Sequence, residues 1–128
     1  AGPYLYREFW SGESGLMKDG RTVFKKIPAH GVCLTALTPH TNPQEARYIG
    51  SSLHISQGLE VAEWTDEGQG LSLILERPGT GRGNVDVYLP APPGDIKLDQ
   101  KATGWSTIAP GIYRIEVDFY QRGHLTII

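Results

Sequence analysis

The residues able to do chemistry fall into four sets. Carboxylates are the first. Glycoside cleavage takes two of them, facing one sugar across a fixed gap. Glu60 with Glu63, Asp66 with Glu67, and Glu116 with Asp118 are the pairs close in sequence. Glu116 and Asp118 alternate with Ile115 and Val117, so on a strand they share a wet outer face. The other two pairs border turns, and the same solvated reading applies to them. The second set is His30, His40, His54 and His124. None are spaced as His-x-His or His-Glu-x-x-His, so no metal site is expected. His54 lies in an apolar segment near Ser52 and Gln57, which suits a hydrogen-bonded, partly buried ring. No Gly-x-Ser-x-Gly elbow accompanies any histidine. The third set is the Gly-rich run Pro78-Gly79-Thr80-Gly81-Arg82-Gly83. It lacks the following helix that would cradle a phosphate, and it reads as a hairpin connection.

Aromatics form the fourth set. A flat ring can lie against the C–H face of a pyranose while polar side chains fix the hydroxyls, provided that the ring is exposed. Trp10 closes an aromatic-rich segment, Trp64 stands at a strand end beside a turn, and Trp105 lies in Thr-Gly-Trp-Ser. Core or edge packing is the competing role for each. The candidate carbohydrate-binding residues are therefore Trp105, Trp64 and Trp10, with His54 and Gln57 as polar partners. No catalytic residue, metal ligand or cofactor is expected.

Period two dominates the elements that must position these residues. Tyr4–Trp10, Arg21–Ile27, Gly31–Leu37, Tyr48–Ile55, Leu59–Trp64, Leu71–Glu76, Val85–Leu89, Ile96–Leu98, Gly111–Phe119 and His124–Ile128 read as strands. Gly, Pro, Asn or Asp bounds nearly every one. No segment sustains helical spacing. The expectation is an all-β fold, an antiparallel β-sandwich of jelly-roll or Greek-key type with about 9–10 short strands. Residues 1–128 are read as one such domain, with a break permitted near residues 38–43, where two prolines and an Asn fall.

The chain has 128 residues, with 39% hydrophobic and 20% charged, the profile of an ordinary globular domain. A net charge of -2, mixed along the chain, gives no basic footprint for nucleic acid. No apolar run approaches the roughly 20 residues of a membrane helix. No charged region followed by an apolar run opens the sequence. Localisation is left open. The single Cys33 excludes an intrachain disulfide and a cysteine-built zinc site, and its apolar setting reads as core.

Two phrases carry a family resemblance. The first is Tyr6-Arg7-Glu8-Phe9-Trp10-Ser11-Gly12-Glu13, followed by Phe24-Lys25-Lys26-Ile27-Pro28-Ala29-His30-Gly31-Val32. It resembles the tail of family 36-like α-galactosidases and melibiases, where an antiparallel β-sandwich follows a catalytic TIM barrel. Pro ends one strand there and Gly lets the backbone enter the next. The second is Tyr48-Ile49-Gly50-Ser51-Ser52-Leu53-His54-Ile55-Ser56-Gln57-Gly58. It is similar to a phrase of longer bacterial members of these glycosidases. Together the two phrases cover about the first half of the chain.

The resemblance implies a non-catalytic C-terminal accessory domain of a glycoside hydrolase. Its partner would be the catalytic TIM barrel of the parent chain, with an oligosaccharide as a second partner and neither nucleic acid nor membrane. In such enzymes the catalytic aspartates belong to the barrel, so none is carried over. An autonomous carbohydrate-binding module using an exposed Trp is the alternative. A small stand-alone glycosidase is the third reading, and the carboxylate pairs give it little support. Association through an edge strand is a fourth.

Overall fold

Alternation of apolar and polar side chains builds long ribbons here rather than only short strands. The computed structural model describes residues 3–17, 35–40, 43–53, 60–67 and 70–128. His30, Cys33, His54, Gln57 and the strand expected at Arg21–Ile27 lie outside the described residues. The elements are β1 (Tyr4–Glu8), β2 (Ser14–Met17), β3 (Thr35–Pro39), β4 (Arg47–Ser51), β5 (Val61–Glu67), β6 (Gly70–Tyr88), β7 (Ile96–Leu98), β8 (Lys101–Ala102), β9 (Trp105–Ala109) and β10 (Ile112–Ile127). Every pairing is antiparallel, and no helix occurs among the described residues. The all-β, sandwich-like fold expected from the sequence is the fold observed.

Two expectations are corrected. Pro78–Gly83 is not a hairpin connection, because it lies inside β6, a strand of 19 residues. Gly111–Phe119 and His124–Ile128 are likewise parts of one strand, apart from Ile128 and the turn residue Gly111. The reason is cross-strand pairing. β6 and β10 pair from Leu71↔Ile127 to Tyr88↔Ile112 with one shift of register, and Thr80–Gly83 of the run are held extended by their partners. The composition of the run shows only as a local irregularity. Arg77, Pro78 and Gly79 stand opposite Gln121 alone, where the register shifts. A proline in a sheet is tolerated at such a bulge, since it cannot donate to the ladder. Gly81 has a packing reason as well. A Cβ there would sit 2.5 Å from the ring of Phe119, its cross-strand partner.

The bulge divides the β6–β10 ribbon into two halves. β5 and β7 flank the first half, and β4 and β9 flank the second. Odd-numbered residues of both halves enter one core. Leu71, Leu73, Leu75, Leu125 and Ile127 come from the first half, and Val85, Val87, Ile115, Val117 and Phe119 from the second. The core is thus largely one two-stranded ribbon of β6 and β10, with both halves of its apolar face in the same cluster.

A smaller sheet, in the order β2-β1-β3, covers part of the opposite face. There Leu5 meets Ile49 and Ile112 in a second apolar cluster, with Tyr88 and Ala109 at its border. Thr38 and Pro39 belong to β3. They close β3 by pairing with Leu5 and Tyr4 of β1, and the His40 amide donates to the Pro3 carbonyl. At the other side, β9 pairs only with β10 among the described residues, and Trp105–Ile108 are exposed along it.

Candidate functional site

A strict period of two would place residues three apart on opposite faces of a strand. Two bulges overrule that here. In β4 the register shifts between Tyr48 and Gly50, so Tyr48 pairs with Val87 and Ser51 with Val85. In β5 it shifts between Val61 and Glu63, so Val61 pairs with Leu75 and Trp64 with Leu73. All four of these partners belong to the inner face of β6. The bulges therefore turn Tyr48, Ser51, Val61 and Trp64 to one side. The result is a groove of about 300 Å³ lined by Thr38, Arg47, Tyr48, Val61 and Trp64. It lies where β3 of the small sheet meets β4 and β5 of the large one.

Hydrogen bonds fix this groove from below. The Tyr48 hydroxyl donates to Glu60 Oε1 at 2.7 Å, and the Ser51 hydroxyl donates to the same oxygen. Ser51 Oγ in turn accepts from the Leu53 amide at 3.1 Å. Glu60 is 3% exposed, and its Oε2 has no hydrogen-bond partner among the described residues. Burial, and then the Glu60 charge, push the Tyr48 hydroxyl well above its ordinary pKa, so it stays a proton donor. Arg47 is paired with Glu45 at 2.8 Å. The Thr38 hydroxyl points to the Tyr48 carbonyl at 3.4 Å.

A second polar assembly ties the sheets together. Asp86 is fully buried on the outer face of β6. Arg114 reaches it with Nε and Nη2, each at 2.9 Å, in a forked pair. From the small sheet, Arg7 Nη1 lies 2.8 Å from Asp86 and Ser14 donates to it. Arg7 also donates to Asn84 Oδ1 at 2.9 Å. Arg114 further donates to the Gly12 carbonyl in the β1–β2 turn. That turn is held as well by the buried Glu8 carboxylate, which accepts from the amides of Trp10 and Ser11, both at 3.0 Å. Burial lowers the Arg7 pKa, and the hydrogen bond to Asp86 raises that of Arg114. These groups are consumed by one another, and the assembly acts as a latch between layers.

A larger groove of about 520 Å³ runs past Arg82, Asp99, Lys101, Thr103, Glu116 and Asp118. Its Arg82–Asp118 pair, 3.3 Å apart, is exposed on both sides. Glu116 and Asp118 are on the wet face that alternation predicts. No cluster of three or more His, Cys, Asp or Glu residues suited to a metal ion occurs among the described residues.

The candidate tryptophans stand on three separate elements. Trp64, on β5, is 46% exposed and lines the smaller groove. Trp105, on β9, is half-exposed and meets Tyr113 edge-on at 5.7 Å. Trp10, in the β1–β2 turn, is exposed and meets Phe9 edge-on at 5.0 Å. His54 and Gln57 lie outside the described residues. One sequence expectation is overturned: Glu60 is not on a solvated face but buried beneath Tyr48. Sequence reasoning also missed Arg47, Tyr48 and Thr38 as groove residues. The slip in alternation at Tyr48–Ser51 and at Val61–Trp64 was the sign that could have found them.

A scan against family models finds none that matches the chain, and a search of curated proteins finds no match either.

Proposed function

We propose that the chain is a non-catalytic accessory β-sandwich of a glycoside hydrolase, seated on the catalytic barrel of its parent. The observation that carries the reading is the outer face of the small sheet. Leu5 and Arg7 of β1 point toward the large sheet, so Tyr4 and Tyr6 stand on the other side. Their cross-strand partners there include Pro39 and Leu37. Leu37 is 54% exposed, and Trp10 in the adjoining turn is 53% exposed. Leu37 on this side, beside the partly buried Tyr4 and Tyr6 and the buried Met17, and Trp10 in the turn are exposed apolar groups that suit a docking surface. The Tyr6–Trp10 phrase, which resembles the glycosidase tail, runs along the same strand and turn.

Leu37→Asp and Trp10→Asp in the full-length enzyme test the docking. Both variants should lower the melting temperature of the barrel while the unfolding of the isolated 128-residue chain hardly changes. An unchanged barrel would overturn the proposal. Turnover of aryl galactosides by the isolated chain, lost on changing one carboxylate, would overturn its non-catalytic part.

Sugar binding is a second reading, favoured by the exposed Trp64 at a groove that also carries a guanidinium and a hydroxyl.

A further inference from the structure

We infer that the groove between β3, β4 and β5 is a subsite for one neutral pyranose ring, with Trp64 as its platform and Arg47 and Thr38 as its polar clamp. The inference rests on the sugar-binding reading and is independent of docking on a barrel.

Size and chemistry set the ligand class. A volume of about 300 Å³ is at the small end of ligand sites, fit for a ring or two rather than a folded polymer. Its walls are unlike one another. Trp64 and Val61 form an apolar side, and Arg47 and Thr38 form a polar one. A pyranose is divided in the same way, with C–H bonds on its faces and hydroxyls on its rim. The electron-rich face of an indole attracts the weakly positive C–H groups. Arg47 offers several donors in a planar fork, and Thr38 both donates and accepts.

The charge state argues for a neutral sugar. Arg47 already has its counter-ion in Glu45, 2.8 Å away. A uronate or a phosphate would have to displace that carboxylate or sit beside it. Hydroxyls need only the remaining N–H groups of the same guanidinium.

Rigidity is supplied from underneath. Tyr48 cannot swing into the groove while its hydroxyl is bound to Glu60, and Glu60 is held in turn by Ser51. The two strand bulges fix Val61 and Trp64 relative to this floor. A site that is already formed loses less entropy on binding. Glu60 is thus a positioning residue, and Trp64 touches the ligand.

The test is a titration of the 128-residue chain with methyl galactoside, methyl glucoside, methyl mannoside and galacturonate, followed by nuclear magnetic resonance. Saturable shifts with a Kd on the order of 1 mM are expected for at least one neutral sugar. Trp64→Ala should weaken that binding at least about tenfold, and Arg47→Met roughly threefold or more. Trp105→Ala should leave it within about twofold. Urea unfolding checks that each variant is folded, and Arg47→Met carries the test if Trp64→Ala is not. A flat titration with every sugar overturns both the subsite and the sugar-binding reading. Saturable binding that ignores Trp64 and Arg47 overturns the subsite alone. Galacturonate bound more than about tenfold tighter than the neutral sugars overturns the ligand class.

Discussion

At the scale of single residues, the charges decide what the apolar pattern leaves open. Asp86 accepts from Arg114 and Ser14 and is ion-paired with Arg7, with no exposure to water. Removing it takes the shared carboxylate from two arginines, one of them buried. Asp86→Ala should therefore lower stability by about 3–5 kcal/mol in urea unfolding. Replacing Arg7, Asp86 and Arg114 together by apolar residues of similar volume should recover most of the loss. A loss under about 1 kcal/mol for Asp86→Ala would show the latch to be incidental. His40 makes the second prediction. It is nearly buried, meets Tyr88 edge-on at 4.4 Å, and its Nδ1 has no hydrogen-bond partner among the described residues. Burial first, and then the Arg47 charge, hold its pKa below the ordinary 6.5. The unfolded chain then takes up the proton at a higher pH than the folded one. Stability from neutral His40 is complete above about pH 6.5 and is lost as pH falls through the lowered value. Between about pH 7 and about pH 5, the urea midpoint of the wild type should fall further than that of His40→Phe. Equal slopes would remove His40 from the account. Neither role was legible in the sequence. Asp86 alternates with Val85 and Val87, as an exposed strand residue does, and Arg7-Glu8 read as a charged strand end. Only the packing of the small sheet over β6 shows that Asp86 and Arg7 are buried.

At the scale of elements, the alternation was legible and the connections were not. Trp64, Val87 and Ile115 lie in segments whose period marks them as strands. The Gly-rich run at Pro78–Gly83 carries every local mark of a turn. Pairing with β10 outweighs those marks, because Phe119 fills the space above Gly81 and the ladder resumes at Thr80. Local composition cannot report a partner strand some forty residues away. The β7–β8 turn yields a prediction at this scale. Leu98 and Lys101 pair across Asp99 and Gln100, which have φ of 51° and 68°. A two-residue turn with both φ values positive favours Asp-Gly over Asp-Gln. Gln100→Gly should raise stability by about 0.5–1 kcal/mol, seen as a higher melting temperature. Asp99 should stay, since its carboxylate accepts from the His124 amide at 2.9 Å. A lower melting temperature in Gln100→Gly would mean that the turn is held by something other than its dihedral angles.

At the scale of the whole molecule, one ribbon supplies most of the core, and the other strands lean on it. Native-state hydrogen exchange should follow that order. Amides of Leu73, Val85, Val87, Ile115 and Val117 should be the slowest, and those of β8 and β9 the fastest among the strands. Exchange from β9 as slow as from Val85 would contradict the hierarchy. The margin of β9 has a further consequence, colloidal rather than structural. From Thr103 to Pro110 the chain carries no charge, and Trp105 and Ile108 are exposed along it. Edge strands in natural proteins are commonly guarded by a lysine, a bulge or a cover. Among the described residues this one is guarded by its shortness, by the irregularity that leaves Ile108 out of the ladder and by the proline that follows it, but by no charge. In concentrated solution such a margin is a seed for strand-to-strand stacking between molecules. A single Thr107→Lys should raise the concentration at which the chain stays clear and leave its melting temperature unchanged, so that shelf life is set by one uncharged margin and not by the core.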